Sequence, residues 1–259
     1  MPVVTLTTDW GIRDHYAAAF KGRLLSHIPG VQVVDISHSI ATFDVLQASY
    51  ILKNAFHHFP PGTIHYSGIK GKLPANAPPE LLIVECEGHF FVGTDSGLFS
   101  LVLGDKPKNI YVMAGKGHFN TSTWGLMVLD CLKRLSQDEP TSGFAEERSG
   151  ISQTFYPQAM VNADSIRATV IFVDEFENLV LNVNEELFEL TRGQRGFHIE
   201  MKRVSPPVSK ISNWYNEVDE GELLALFNRD GYLEIALNRS NASGLLGIRL
   251  YDTVTILFQ

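Results

Sequence analysis

The sequence predicts two domains: an α/β N-terminal domain, residues 1–150, with a mostly parallel sheet flanked by helices, and an all-β C-terminal barrel, residues 151–259. Three observations lead there. Up to Leu135, short β-branched runs alternate with stretches of helical period, the pattern of strand and crossover helix. From Ile166 onward, apolar runs are separated only by turn residues, as in antiparallel sheets and small barrels. Between them, 136–150 is polar, contains Pro140 and Gly143, keeps no apolar period, and reads as a linker.

Val3–Thr7 is a buried strand that ends before Asp9 and Gly11. A helix is expected from Asp14, because Tyr16, Ala17, Phe20, Leu24 and Leu25 share one face, and Pro29-Gly30 stops it. Val31–Ile36 is a second strand. Asp44 caps a second helix bearing Val45, Ala48, Ile51, Leu52 and Phe56, which Pro60-Pro61-Gly62 ends. Thr63–Tyr66, Leu81–Glu85, His89–Val92 and Asn109–Met113 follow as strands, with helices near Gly97–Leu103 and Trp124–Leu135. In the second half the strands are Ile166–Val173, Leu179–Val183, Gly196–Val204, Glu222–Phe227, Tyr232–Leu237 and Val254–Phe258.

Composition excludes several functions. With 21 Lys plus Arg against 29 Asp plus Glu, the net charge of -8 argues against a general nucleic-acid binder, whose affinity comes from clustered cations releasing counterions. The two cysteines, Cys86 and Cys131, share no CxxC spacing, so neither a disulfide framework nor a structural zinc site is expected. No apolar run approaches the ~18 residues of a membrane helix. Met1-Pro2 runs straight into a strand, and a cytoplasmic location is the expectation.

Thr8-Asp9-Trp10-Gly11 with Asp14 sits where the first strand delivers its loop, and ligands of open α/β sheets bind beyond the carboxyl ends of strands. A carboxylate there can accept two hydrogen bonds from a ribose diol. Helix capping explains the same residues. Asp35-Ile36-Ser37-His38 ends the second strand. Together Asp9, Asp14, Asp35 and His38 also read as an oxygen-rich divalent-metal cluster, although no rigid spacing rule supports it. Gly93-Thr94-Asp95-Ser96-Gly97-Leu98 is a strand-to-helix turn. GxxxxGK[ST], GxGxxG and GxSxG are all missing, which leaves triphosphate, dinucleotide and serine-hydrolase readings unsupported. Asp174-Glu175-Phe176-Glu177-Asn178 and Asn228-Arg229-Asp230-Gly231 have the composition of β-turns.

Taken in order, these segments resemble the S-adenosylmethionine hydroxide adenosyltransferases, the family that includes the fluorinating and chlorinating enzymes. The matching stretches are Thr8–Gly11 through Asp14, Tyr16, Lys21 and Gly22; Val34–His38 with Asp44; Phe59–His65; Phe91–Leu98; Val173–Asn178 with Asn182; and Gly231–Ala236 through Asn238, Asn241, Ala242 and Leu246-Gly247. The resemblance implies an α/β domain, a C-terminal barrel, and a homotrimer with sites between neighbouring subunits. It implies that the aspartate matching Asp9 holds the ribose hydroxyls, that Asp174 and Asn178 match residues at the methionine end, and that Asn238 and Arg239 match the segment against adenine. The implied ligand is S-adenosylmethionine or adenosine, with no cofactor. The implied reaction is in-line displacement at C5′ by water or halide, with neutral methionine leaving. Holding nucleophile, C5′ and sulfur in line and stripping solvent from the nucleophile are then the site's tasks.

The hydrolytic members prepare water with an Asp, Arg and His group, and here the sequence departs. Lys70 aligns with the aspartate, Ala77 with the arginine and Asn120 with the histidine. A shifted alignment offers His118 for the histidine, but nothing for the arginine, since none occurs between Arg23 and Arg134. Arg229-Asp230 stands where halide-using members have Ser-Arg, and Glu177 replaces a usual glycine. A lysine beside a sulfonium costs roughly 1 kcal/mol at ~4 Å in water. Lys70 therefore points away, stabilises an anionic nucleophile, or belongs to a site whose ligand is not a sulfonium. The readings are a SAM hydrolase-like enzyme, a non-catalytic adenosine or nucleoside binder or sensor, and a divalent-metal hydrolase.

Overall fold

The computed structural model describes residues 1–69, 80–106, 108–115, 120–201 and 207–259. The chain forms two compact units, Met1–Phe155 and Tyr156–Gln259.

In the first unit the elements run β1 (Val3–Thr7), α1 (Tyr16–His27), β2 (Gln32–Ser37), α2 (Val45–Phe56), β3 (Ile64–Ser67), β4 (Glu80–Cys86), β5 (His89–Gly93), α3 (Leu98–Leu103), β6 (Asn109–Ala114), α4 (Thr121–Ser136) and β7 (Glu146–Glu147). The sheet order is β2-β1-β3-β5-β4-β6-β7. Its first four strands are parallel, and β4, β6 and β7 join antiparallel. The sheet is therefore mixed, which corrects the mostly parallel expectation. The cause is local: β4 and β5 are joined by Glu87-Gly88, both at positive φ (51° and 78°), the geometry of a tight hairpin turn. Alternation of strand and helix does not reveal that reversal.

Each face of this sheet buries a core. One joins Val4, Leu6, Ile64 and Val92 to Leu24 of α1 and Val128, Leu132 and Leu135 of α4. The other joins Phe91 and Val84 to Leu52 and Phe56 of α2 and Phe99 of α3. Asp44 caps α2 by accepting from Gln47 N at 2.9 Å, as its position predicts. Residues 136–150, expected to link the domains, fold onto this unit instead. Thr141–Gly143 makes a 3-10 turn, Thr141 donates to Glu85, and β7 pairs with β6. Cys86 and Cys131 are both buried, in the cores on opposite faces of the sheet.

The second unit contains β8 (Met160–Val161), β9 (Ser165–Val173), β10 (Leu179–Asn184), α5 (Glu185–Arg192), β11 (Phe197–Glu200), β12 (Leu223–Phe227), β13 (Tyr232–Leu237), α6 (Ala242–Leu246) and β14 (Thr253–Phe258). The order is β11-β14-β9-β10-β13-β12, with β8 paired to β9, all antiparallel. This is a curled half-barrel rather than the closed, all-β barrel expected. Among the described residues, β11 and β12 do not pair with each other. Single bridges instead tie Val208 to Ile199 and Ile211 to Ala225. Helix α5 follows β10 directly, and no loop signals the change of period. Asn184 caps it through Leu187 N at 2.9 Å, Glu185 and Glu186 occupy its first turn, and Gly193 ends it. Phe188 of α5 fills the half-barrel, with Phe197, Phe227 and Phe258 at 5.0, 5.5 and 5.7 Å between ring centroids.

Candidate functional site

In the first unit, the carboxyl ends of β1, β2 and β3 set the candidate site. Backbone bonds from Thr8 N to Ser37 O and from Gly11 N to His38 O, both 2.8 Å, hold the loop after β1 against the loop after β2. Asp9 Oδ2 accepts from Phe43 N at 2.9 Å. Helix α1 begins at Tyr16 behind His15, so neither Asp9 nor Asp14 is its cap, and the capping explanation does not hold for this helix. Asp14 is exposed.

Asp35 and His38 are bound up in a structural group. Lys21 Nζ donates to Asp35 Oδ2 at 2.5 Å, His38 Nε2 approaches Asp35 Oδ1 to 3.1 Å, and Thr8 Oγ1 lies 2.6 Å from His38 Nδ1. Partial burial would raise the Asp35 pKa, yet Lys21 and His38 hold it below the ordinary value. Among the described residues, no group of three or more His, Cys, Asp or Glu could hold a metal ion. Asp9, Asp14, Asp35 and His38 thus do not converge as the metal reading requires.

Beside these strand ends, a cavity of about 410 Å³ opens between α1 and α4, walled by Trp10, Phe20, Tyr66 and Trp124. Trp10 meets Phe20 edge-on at 5.3 Å, and Phe20 stacks on Tyr66 at 5.0 Å. Burial pushes the Tyr66 phenol up, and nearby Asp9 adds to the shift, although the Trp124 indole N–H opposes it by donating to the phenol oxygen. Gly68 makes this packing possible, since a β-carbon there would come within 2.8 Å of the Trp10 ring. Sequence reasoning singles out only Trp10 of these four rings. It marks Phe20 merely as part of a helix face, and the approach of Phe20 to Tyr66 is a tertiary fact.

Asn120 is the N-cap of α4. Its Oδ1 accepts from Ser122 N and Thr123 N at 2.9 and 3.0 Å, and Thr123 Oγ1 closes the capping box. It does not line the cavity, whereas Thr121 and Trp124 on the same helix do. Lys70 and Ala77 lie outside the described residues, as does His118. The Gly93–Leu98 motif serves as a turn. Asp95 accepts from Ser152 N at 2.9 Å and faces Arg148 at 3.3 Å, and Gly97 lies beneath Thr154 with φ +84°.

In the second unit, Asp174 and Asn178 close the turn between β9 and β10. Asp174 Oδ1 accepts from Phe176 N and Asn178 N at 2.9 and 2.8 Å, and Oδ2 accepts from Asn178 Nδ2 at 3.0 Å. A carboxylate has about four acceptor positions, so one remains for a ligand donor. Glu177 adopts φ 63°, a left-handed conformation that accounts for the family's glycine there.

This turn shares a cavity of about 620 Å³ with Tyr215, Asn238, Arg239 and Asn241. Asn238 Nδ2 donates to Val218 O at 2.8 Å, and Arg239, with its side chain 76% exposed, reaches Glu220 at 3.6 Å. Arg229 is not brought to this cavity: it sits exposed in the β12–β13 turn, at the opposite end of β13 from Asn238. Beneath Tyr215 lies Glu234, 4% exposed, which accepts from the Tyr215 hydroxyl at 2.8 Å. Burial pushes both pKa values up, each group being worse solvated as an anion. The available signal was an acid in the otherwise apolar face of Tyr232–Leu237.

Comparison with known proteins follows the same division. Residues 4–124 match the SAM hydroxide adenosyltransferase N-terminal domain and residues 168–255 the C-terminal domain. A protein from Methanocaldococcus jannaschii named (R)-S-adenosyl-L-methionine hydrolase is 26% identical over 100% of this chain and 97% of its own. One of the same name from Thermus thermophilus is 24% identical over 96% and 97%. A fluorinase from Actinoplanes sp. is 35% identical over 63 residues, 24% of this chain and 21% of its own. Among solved structures, an uncharacterized conserved protein from Thermotoga maritima superposes with TM-score 0.84 at 22% identity, covering 98% of this chain and 99% of that one. A second solved structure, a conserved hypothetical protein from Thermus thermophilus, gives 0.73 at 22% identity, covering 100% of both chains. With matches to both domain halves, the chain belongs to the SAM hydroxide adenosyltransferase family.

Proposed function

We propose that this protein binds an adenosyl ligand and hydrolyses S-adenosylmethionine to adenosine and methionine. The observation that carries the reading is that both domain families match in order and that full-length relatives are named SAM hydrolases. Asp9 at the end of β1 holds the ribose diol, with Asp14 in the same loop. Asp174 and Asn178 hold the methionine end, and Asn238 and Arg239 lie along the adenine. Ligand contacts come from neighbouring subunits of a homotrimer. The protein is cytoplasmic and the reaction needs no cofactor.

The reaction is balanced by water alone. The water oxygen bonds to C5′ as the C5′–S bond breaks and its electron pair returns to sulfur, giving neutral methionine, adenosine and one proton released to solvent. A sulfonium needs no protonation to leave, so alignment and desolvation are what the site must supply. Lys70, Ala77 and Asn120 replace the family's water-preparing group, and positioning sustains a reduced rate without it.

Incubation with labelled S-adenosylmethionine tests this: adenosine should appear in proportion to enzyme, and Asp9→Ala should weaken adenosine binding. No turnover above buffer at high enzyme concentration would sink the catalytic claim. The engagement of Asn120 Oδ1 in a helix cap favours a second reading, a nucleoside binder without chemistry. It predicts adenosine binding by calorimetry and no turnover.

A further inference from the structure

The aromatic cavity between α1 and α4 carries a charge that the adenosyl reading does not use. Arg23 of α1 lines it and is exposed, and among the described residues its guanidinium has no ion pair and no hydrogen-bond partner. Lys21 on the same helix, by contrast, is paired with Asp35 at 2.5 Å. Arg23 reaches across to α4, where Gly125 also lines the cavity: a β-carbon on Gly125 would come within 3.3 Å of Arg23 Nη1. A glycine in a helix interior costs about 1 kcal/mol relative to alanine, so the room left for Arg23 comes with some loss of helix stability.

No carboxylate of the cavity answers that charge. The described residues lining it include no Asp or Glu, and the segments 70–79 and 116–119 contain none in sequence. Asp9 does not line the cavity, and its Oδ2 accepts from Phe43 N at 2.9 Å.

The walls select for shape. Trp10 meets Phe20 edge-on at 5.3 Å, Phe20 stacks on Tyr66 at 5.0 Å, and the Trp124 indole N–H is engaged by the Tyr66 phenol oxygen. These side chains offer ring faces and edges, which suit another flat ring at centroid separations of about 4.5–7 Å. Ring faces also attract cations, but a second positive charge ~4 Å from Arg23 costs roughly 1 kcal/mol in water and more in a partly enclosed site. At about 410 Å³ the space far exceeds the roughly 30 Å³ share of one water molecule in the liquid.

We propose that the α1–α4 cavity binds a small aromatic carboxylate, its ring among Trp10, Phe20, Tyr66 and Trp124 and its carboxylate paired with Arg23. This ligand is additional to the adenosyl ligand at Asp9, and its binding requires no turnover. A guanidinium presents parallel N–H donors that match the two carboxylate oxygens, a pairing stronger than neutral hydrogen bonds.

Calorimetry on the full-length protein with 1-naphthoate, neutral 1-naphthamide and cationic 1-naphthylmethylammonium tests this. Naphthoate should bind at least tenfold more tightly than the amide, and the ammonium more weakly than either. Arg23→Met keeps an unbranched apolar stem on the helix and should abolish the preference for the acid, leaving the amide within twofold. Ala19→Phe, at another exposed position of α1 that lines the cavity, fills the space and should weaken acid and amide alike by at least tenfold. Saturating adenosine should leave the naphthoate Kd within threefold. Absence of naphthoate binding, an acid bound no better than the amide, a preference that survives Arg23→Met, or binding indifferent to Ala19→Phe overturns the proposal. Direct competition between adenosine and naphthoate overturns it too, since the cavity would then belong to the adenosyl site. Naphthoate binding in a protein that binds no adenosine removes the adenosyl reading and leaves this one standing.

Discussion

Acid should destabilise the first unit through one buried imidazole. His65, in the middle of the parallel strands, is completely buried, with Nδ1 2.8 Å from Thr5 Oγ1 and Nε2 3.2 Å from His89 Nδ1. The rings of Phe56, Phe59 and Phe91 surround it at 6.0, 5.7 and 5.1 Å. Burial, and then the neighbouring His89, lower its pKa from 6.5 to about 3. The unfolded chain therefore binds a proton below pH 6.5 that the folded chain refuses. Stability is fully present above that pH and falls as pH drops toward 3, by up to ~1.4 kcal/mol per pH unit. Integrated from pH 7 to 5, the loss is about 2 kcal/mol. His89 is shifted in the same direction, by burial first and His57 second, and adds to the loss. Urea unfolding at the two pH values, read by tryptophan fluorescence, measures the difference. His65→Leu strands Thr5 and His89 and costs about 1–3 kcal/mol at pH 7, and about 2 kcal/mol less than that at pH 5, because it removes most of the pH dependence. A variant as acid-sensitive as wild type, or an imidazole titrating near its ordinary value by NMR, would refute the reasoning.

Other outcomes are expected in and around the site. Glu177→Gly relieves a left-handed backbone at an exposed position and should stabilise the protein by about 1 kcal/mol in thermal or urea unfolding. Restoring the family's group by Lys70→Asp, Ala77→Arg and Asn120→His should raise SAM turnover by about 10²-fold or more, although losing the Asn120 cap costs about 1 kcal/mol of stability. A triple variant that folds without faster turnover shows that this enzyme does not use that group. Asn238→Ala should weaken adenosine binding measured by calorimetry, while Arg229→Ala, exposed and away from the second-unit cavity, should leave it within twofold. Equal weakening by both would return Arg229 to the site.

Local signals in the chain were enough to place most elements and to mark the ends at which ligands bind. The period of α2 and the Asp44 cap, the β-branched run of β1, and the turn chemistry of Asp174–Asn178 depend on neighbours a few residues apart, so they are legible in one dimension. Asp9 was legible for the same reason, since strand-end position follows from the length of the preceding run. Contacts between distant segments were not. The reversal of β4 against β5 rests on two residues at positive φ, and the edges β11 and β12 leave a half-barrel open where a closed one was expected. Tyr215 meets Glu234 across 19 positions, and Thr7 meets Ser67 across 60, by strand registers that no local period encodes. By itself the sequence determined the elements, the family and the acids at the strand ends. Only the tertiary structure decided which side chains wall each cavity, because burial and register arise when separate strands pair.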